Sequence, residues 1–260
     1  MLAHVHIMKT AGQTFRAILR QSFQGNHCDL IVGRAAAAGD VRWAKRFYPG
    51  LKSIAGHCVT PHSDLDSAGL NPRYFTFLRE PRERCVSHYQ FSMQRRGSRI
   101  PFEQWLTKYA NFQTRILSKT QDASQAIEVL DRRIGFVGLV ERFNESLVLF
   151  RKWCQDPDLD IRYRSQNIAT DNRIKKELLA SPQIVALIDE CHAQDRILYA
   201  HARDTMYQRQ VKEFGPKLAA ELQELEDSLP APTILSFTQF VATAKRNMLY
   251  KPLTRIRQAA

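Results

Sequence analysis

The sequence predicts an α/β protein in which a parallel β-sheet is flanked by helices and the C-terminal half is mostly helical. An apolar run at residues 2–7 precedes a segment whose apolar residues recur at helical spacing. A second apolar run, residues 74–78, precedes Pro81, a residue favoured at the first position of a helix. Helical periodicity dominates beyond residue 100, and 260 residues suffice to bury one sizeable core.

The connection between the first predicted strand and helix has the features of an anion site. Its sequence runs from His6 through Ile-Met to the stretch Lys9, Thr10, Ala11, Gly12, Gln13, Thr14. The free N–H groups of a first helical turn and the positive end of the helix dipole attract anions. Lys9 adds a full positive charge, and Thr10 and Thr14 add hydroxyl groups. We therefore expect these six residues to bind a phosphate or sulfate group.

This strand–loop–helix unit is P-loop-like but departs from the nucleotide-binding pattern G-x-x-x-x-G-K-[ST]. Lys9 precedes Gly12 instead of following it, and no glycine opens the turn. No apolar strand ends in an aspartate suited to hold magnesium, so we expect no metal. A P-loop-type kinase acting on a small molecule is kept as an alternative function.

The second predicted strand also leads into a polar turn. Arg79 follows the strand directly, and Ser87 lies six residues past Pro81, about 9 Å along the axis of the helix that Pro81 opens. An arginine fork with a nearby hydroxyl suits a second phosphate group. The simpler interpretation is that Arg79 pairs with Glu80 or Glu83 of the same turn.

The remaining predicted elements follow in chain order. The run at 53–59 is typical of a strand end leaving the sheet, and residues 136–140 of a further short strand. Helices are predicted over residues 102–118, 123–133, 144–154 and 182 to about 211. Residues 155–164 read as a loop leading to another strand. The Pro-Ala-Pro sequence at 230–232 separates a single domain, 1–229, from a basic extension, 230–260.

Together these motifs resemble the carbohydrate sulfotransferases that use 3′-phosphoadenosine 5′-phosphosulfate (PAPS), particularly the branch containing heparan sulfate 2-O-sulfotransferase. The resemblance covers residues 3–205 and includes three further stretches, at 110–117, 137–147 and 195–199. It implies that the loop from Lys9 to Thr14 holds the 5′-phosphosulfate and that Arg79 and Ser87 hold the 3′-phosphate. Met8 and Gln13 depart from the family pattern, but neither change removes a charged or hydroxyl group.

The resemblance also implies the chemistry: a sulfuryl group moves in line from PAPS to a carbohydrate hydroxyl. By analogy with phosphoryl transfer, charge stabilisation dominates, and Lys9 is the expected donor to the bridging oxygen. The acceptor hydroxyl needs a general base. His57 occupies the place of the family's catalytic histidine, while His6, His62 and His88 are alternatives.

Composition limits the partners. Lys and Arg outnumber Asp and Glu by 38 to 26, a formal net charge of +12, which favours polyanionic partners. The sequence contains no run of Lys and Arg with interleaved aromatic residues, the pattern typical of nucleic-acid-binding modules, so we expect no nucleic-acid partner. The resemblance implies a glycan or glycolipid acceptor, and the basic charge is compatible with an acidic or a lipid-linked one; the sequence leaves its identity open. Two roles are open for five basic residues, which either bind an acidic sugar or keep the protein soluble: Arg82, Arg84, Arg95, Arg96 and Arg115.

The extension at 230–260 carries five basic residues and no acidic one. Phe237, Phe240, Val241 and Ala244 are spaced as one stripe of a short amphipathic helix. We favour a helix packed back on the core over an arm that contacts a membrane surface. A non-catalytic nucleotide-binding or membrane-adaptor protein is kept as a third possible function.

Compartment is indicated by what the chain lacks. The anion loop begins within nine residues of Met1, so we expect no signal peptide. Five scattered cysteines without C-x-x-C spacing fit a reducing compartment. We expect a bacterial, cytoplasmic protein, peripheral to the inner membrane face if the extension binds lipid. The sequence leaves the oligomeric state open.

Overall fold

The computed structural model describes residues 1–66, 69–166, 171–230 and 237–259, and it confirms the predicted α/β fold. One sheet of parallel strands has the order β2-β3-β1-β4-β5. The strands are β1 (Leu2–Val5), β2 (His27–Asp29), β3 (Ser53–Gly56), β4 (Arg73–Leu78) and β5 (Ile134–Leu139). Because all are parallel, their carboxyl ends meet along one edge of the sheet.

Helices flank the sheet and make up most of the C-terminal half, as predicted. Those of the N-terminal half are α1 (Gly12–Phe23), α2 (Ala38–Lys45), α3 (Pro81–Arg96), α4 (Phe102–Lys108), α5 (Phe112–Ser118) and α6 (Ala123–Arg133). Those that follow are α7 (Phe143–Cys154), α8 (Arg173–Ala180), α9 (Pro182–Cys191), α10 (Ala193–His201), α11 (Gln208–Phe214), α12 (Leu218–Asp227), α13 (Phe237–Lys245) and α14 (Lys251–Ala259). None of the described helices is both long and apolar enough to cross a bilayer.

An aromatic cluster fixes α1 and α7 against the sheet. The Phe15 ring of α1 lies 5.2 Å from Phe75 of β4 and 5.0 Å from Phe150 of α7, centroid to centroid. All three side chains are fully buried. Each such aromatic side chain buries roughly 150–250 Å². The cluster thereby sets the position of the first turn of α1 relative to the strand ends.

A second, smaller core lies around α3. It joins Val86 and Tyr89 of α3 to Trp105 of α4 and Ile188 of α9. Glu80 caps α3, because its side chain accepts a hydrogen bond of 2.8 Å from the backbone N–H of Glu83. This core holds α3 so that one of its faces remains available to line a cavity.

The single helix predicted over residues 102–118 is wrong, since the chain forms α4 and α5 with a break between them. Asn111 adopts a left-handed conformation (φ 46°), which asparagine tolerates better than most residues. Its side-chain oxygen accepts hydrogen bonds from the backbone N–H groups of Gln194 (3.0 Å) and Asp195 (3.2 Å). These distant partners compensate for the broken helix.

The long helix predicted from residue 182 to about 211 is also interrupted. It divides at His192 into α9 and α10, and a π-helical segment, Ala202–Tyr207, precedes α11. The sequence analysis also missed β2, α2, α8 and α12. The loop at 155–164 leads to no strand in residues 165–166 or 171–230, and residues 167–170 lie outside the described part.

The described part of the C-terminal extension packs on the β2 side of the sheet. Tyr250 is buried with its ring 5.6 Å from that of Phe47, and Thr254 accepts a hydrogen bond of 2.9 Å from the Trp43 indole. The predicted break at 230–232 and the side chain of Phe237 lie largely outside the described residues. The division into a domain and an extension stays a prediction.

Candidate functional site

A cavity of about 550 Å³ opens at the carboxyl edge of the sheet, a size typical of small-molecule sites. Its lining residues follow β1, β3, β4 and β5, and others come from α3 and α8. The described lining includes the cations Lys9, Arg79, Arg95, Arg96 and Lys175 and no carboxylate. The cavity is therefore strongly electropositive and suited to an anion.

The loop after β1 presents its backbone to this cavity. Helix α1 begins at Gly12, three residues before the apolar periodicity predicts, so Gln13 and Thr14 belong to its first turn. Lys9 (φ 69°) and Ala11 (φ 57°) both have left-handed backbones. Such conformations cost roughly 1–3 kcal/mol each in non-glycine residues and concentrate at functional sites. They turn the chain so that the free N–H groups of α1 face the cavity.

Gly12 is required by a close approach. A Cβ atom at this position would overlap the imidazole ring of His6. His6 is buried and its ring stacks on that of His57, 4.2 Å between centroids. The absence of a side chain at Gly12 thus lets the loop from Lys9 to Thr14 pack directly on the histidine pair.

The two loop hydroxyls have different partners. Thr10 is fully buried and donates a 2.9 Å hydrogen bond to the carbonyl of Ile7, so its side chain stabilises the loop instead of reaching the cavity. Thr10 does not line the cavity, and its role in anion binding stays a prediction. Thr14 lines the cavity and accepts a 3.1 Å hydrogen bond from the backbone N–H of Gln166.

Lys9 points into the cavity beside α3. Its ammonium group lies 4.5 Å from the centroid of the Phe91 ring. Burial, and secondly the charge of Arg79, lower its pKa below the usual lysine value. Both effects disfavour the unpaired cation, so an anion between Lys9 and Arg79 would relieve them.

Arg79 is held by its backbone. Its N–H donates to Oε1 of Gln113 (3.0 Å), and its carbonyl accepts from Nε2 of the same side chain (2.8 Å). The guanidinium pairs with Glu83 (3.1 Å), as the simpler interpretation of the sequence holds, and approaches the Lys9 carbonyl (3.4 Å). Its Nε is buried without a partner among the described residues. Arg79 also lines the cavity, so its guanidinium group can reach a ligand there.

The neighbouring residue Glu80 is fixed in a similar way. Its backbone N–H donates to Glu141 (2.9 Å), whose other carboxylate oxygen accepts from the Tyr199 hydroxyl (2.7 Å). Buried Asp195 accepts from the backbone N–H groups of Gln113 (3.2 Å) and Thr114 (2.8 Å). The three stretches at 110–117, 137–147 and 195–199 thus converge on the turn that carries Arg79.

Ser87 lies on α3 and lines the same cavity as Arg79. Beyond it, Gln90 donates to the Asn172 side chain (3.2 Å) and accepts from the backbone N–H of Lys175 (3.2 Å). The Lys175 ammonium pairs with Glu83 at 2.6 Å. Helix α8, which the sequence analysis missed, therefore closes this side of the cavity and adds a cation.

His57 follows β3 and opens to the cavity while protein surrounds its other sides. Its Nδ1 lies 3.0 Å from the His6 carbonyl, which can only accept, so Nδ1 carries the proton. In the neutral ring, Nε2 is then the basic nitrogen. Partial burial lowers the pKa of His57, and the charges of Arg16 and Arg96 add to this effect. The neutral, proton-accepting form therefore dominates near neutral pH.

The alternative histidines are less available. His62 contacts the Leu117 carbonyl at 2.5 Å. His88 is buried among aromatic rings, and burial lowers its pKa to about 3. His6 lies behind His57 and is buried. Among these four, His57 alone has an exposed imidazole at the cavity.

The five basic residues singled out from the sequence have different environments. Arg95 and Arg96 are exposed at the cavity. Arg82 forms an ion pair with Asp189, and Arg115 donates to the Lys108 carbonyl (3.1 Å). Arg84 is fully buried against the Phe112 ring, so it is neither a surface residue nor a cavity residue.

No protein-family model matches the sequence, and no curated protein matches it. The fold is similar to that of a sulfotransferase from Alicyclobacillus acidocaldarius, known from a crystal structure. The two chains are 14% identical with a TM-score of 0.36, over 72% of this chain and 93% of that chain. A likeness this distant assigns no family to the chain, and its function is therefore inferred from the site.

Proposed function

We propose that this protein is a sulfotransferase that moves a sulfuryl group from PAPS to a hydroxyl of a carbohydrate acceptor. The observation that carries the proposal is the convergence of the anion loop, Arg79, Ser87 and His57 on one electropositive cavity. These residues come from three separate strand ends. Two anion positions and a base in one cavity are what a donor with two phosphate positions and an alcohol acceptor require.

The donor-binding residues fit this ligand. The first turn of α1 and Lys9 would hold the phosphosulfate, where PAPS supplies an activated sulfuryl group. Arg79, whose Nε is buried without a partner among the described residues, would hold the 3′-phosphate together with Ser87. Glu83 then loses Arg79 as its partner but keeps Lys175 at 2.6 Å. The exchange leaves no carboxylate uncompensated.

Acceptor activation is assigned to His57. Its Nε2 is free to take the hydroxyl proton because Nδ1 is bound to the His6 carbonyl. Lys9, which lines the same cavity, would stabilise the charge that develops on the leaving phosphate. Exposed Arg95 and Arg96 at the cavity favour an acidic acceptor.

The donor site is tested by calorimetric titration with 3′-phosphoadenosine 5′-phosphate (PAP) in the absence of metal. Replacing Arg79 by alanine removes a charged contact worth about 1.5–3 kcal/mol, so we expect roughly 10- to 100-fold weaker binding. Arg132→Ala is the matched control, because Arg132 is exposed on α6 and its one ion pair within the described part of the chain is with Glu128. Tighter binding of magnesium-ATP than of PAP would instead support the kinase alternative.

The base is tested by sulfuryl transfer from PAPS to a panel of glycans. His57→Gln should abolish transfer while PAP affinity stays within about twofold. The control His201→Gln should change neither, because His201 pairs with Asp131 and does not line the cavity. Because the pKa of His57 is lowered, activity should persist below about pH 6.5 before protonation of the ring removes it. PAP binding with unchanged transfer in His57→Gln would overturn the assignment. Binding without any transfer would favour a non-catalytic nucleotide-binding protein.

A further inference from the structure

The C-terminal helical segment, residues 237–259, carries an unusual surface. It comprises α13, a π-helical turn at Arg246–Tyr250, and α14. Seven large hydrophobic side chains are exposed among the described residues of the protein, and six of them lie on this segment. They are Phe240, Val241, Met248, Leu249, Leu253 and Ile256. Clustered exposure of this kind marks an interaction surface.

The exposed residues of the second half form a stripe. Leu249, Leu253 and Ile256 follow at spacings of four and three, which place them on one side of a helix. Leu249 and Ile256 are 50% and 66% exposed. The stripe is therefore a continuous apolar surface that the rest of the described chain leaves uncovered.

Another side of the same segment is fixed to the protein. Arg246 pairs with buried Asp29 (3.4 Å), and Tyr250 packs its ring 5.7 Å from that of Tyr48. Gln258 donates a 2.8 Å hydrogen bond to the carbonyl of Ile31, two residues beyond the end of β2. The apolar stripe is thus held on the body of the protein, beside β2.

The charge of this segment selects its partner. The chain has no acidic residue after Asp227, whereas the helices carry Lys245, Lys251, Arg255 and Arg257 in addition to Arg246. Helices with an apolar face bordered by Lys and Arg bind at the interface of anionic bilayers. Pairing with a second copy would bring two sets of like charges together, which costs affinity.

We propose that the C-terminal helical segment docks this protein on an anionic lipid bilayer, with the stripe of Leu249, Leu253 and Ile256 inserted and Lys251 and Arg255 at the headgroups. This proposal is independent of the chemistry assigned to the cavity.

The test is vesicle flotation of the full chain with neutral phosphatidylcholine vesicles and with vesicles containing about 30% phosphatidylglycerol. We expect binding to the anionic vesicles only. The triple variant Leu249→Ser, Leu253→Ser, Ile256→Ser should lower the apparent partition coefficient by at least about tenfold. Among the described residues, Ile197 is the one exposed large hydrophobic side chain outside this segment, so Ile197→Ser is the control and should leave binding unchanged.

A second variant, Lys251→Glu with Arg255→Glu, keeps the stripe and tests the charge separately. This charge variant should also lose binding to anionic vesicles, and it remains informative if the triple variant fails to fold. Circular dichroism of both variants is the control for folding. Equal binding to neutral vesicles, or full binding by either variant, would overturn the proposal. The proposal would also be overturned if the wild type formed a dimer, the triple variant were monomeric, and neither bound vesicles.

Discussion

Replacing Gln113 by glutamate tests whether this side chain holds the Arg79 turn. The change keeps the acceptor for the Arg79 N–H but exchanges the Nε2 donor, 2.8 Å from the Arg79 carbonyl, for a carboxylate oxygen. Gln113 is fully buried and its own N–H faces the Asp195 carboxylate at 3.2 Å. Burial and this neighbouring charge should both raise the pKa of the introduced carboxyl.

The effect on stability should depend on pH with a defined sign. A protonated carboxyl donates to the Arg79 carbonyl as the amide does, so at low pH the variant should resemble the wild type. Above the unfolded-state pKa of about 4.3, the penalty should grow by roughly 1.4 kcal/mol per pH unit until the folded-state pKa is passed. A folded-state pKa at or above about 7 gives a loss of about 4 kcal/mol at neutral pH.

The assay is urea unfolding of both proteins between about pH 5 and pH 8, reported as the difference in unfolding free energy. Gln125→Glu serves as the control, because Gln125 is exposed on α6 and should show little pH-dependent difference from the wild type. Relative to the wild type, Gln113→Glu should bind PAP more weakly at the higher of these two pH values than at the lower. A pH-independent difference in stability would refute the argument that Gln113 donates to the Arg79 carbonyl.

Two further predictions follow from close contacts. Gly12→Ala should reduce PAP affinity at least about tenfold in calorimetry, because the new Cβ displaces the His6 ring, whereas Gly25→Ala has open space and should leave it unchanged. Asp29→Asn should cost about 3 kcal/mol in urea unfolding at neutral pH. Burial opposes ionisation of Asp29, but His27 and two arginines of α1 lower its pKa. Its contribution is therefore present above about pH 4 and lost on acidification, and a difference that persists in acid would contradict it.

The parts of the site predicted correctly from the sequence depend on short-range patterns. Arg79 was placed at a strand end because an aromatic run ends beside it and Pro81 opens a helix two residues later. The loop from Lys9 to Thr14 was predicted in the same way, from a strand and a helix on either side of Lys9 and Gly12. In both cases, the neighbours that determine the conformation are within a few residues along the chain. Their roles in binding stay predictions.

The errors have the opposite character. A three-residue strand such as β2 is too short to show alternation, and it is defined by pairing with β3. The break between α4 and α5 depends on Asn111, whose partners in α10 lie 83 and 84 residues away. Local periodicity carries no record of such partners, so it predicts an uninterrupted helix.

The sequence by itself determined the fold class, the strand–loop–helix units and the cations and histidine they carry, because these depend on local spacing and on side-chain chemistry. Tertiary structure alone decided which residues hold them. Gln113 reaches Arg79 across 34 residues, and Glu141 reaches Glu80 across 61. It also decided that one side of the C-terminal segment is buried and another uncovered, since burial depends on which surfaces meet when the chain folds.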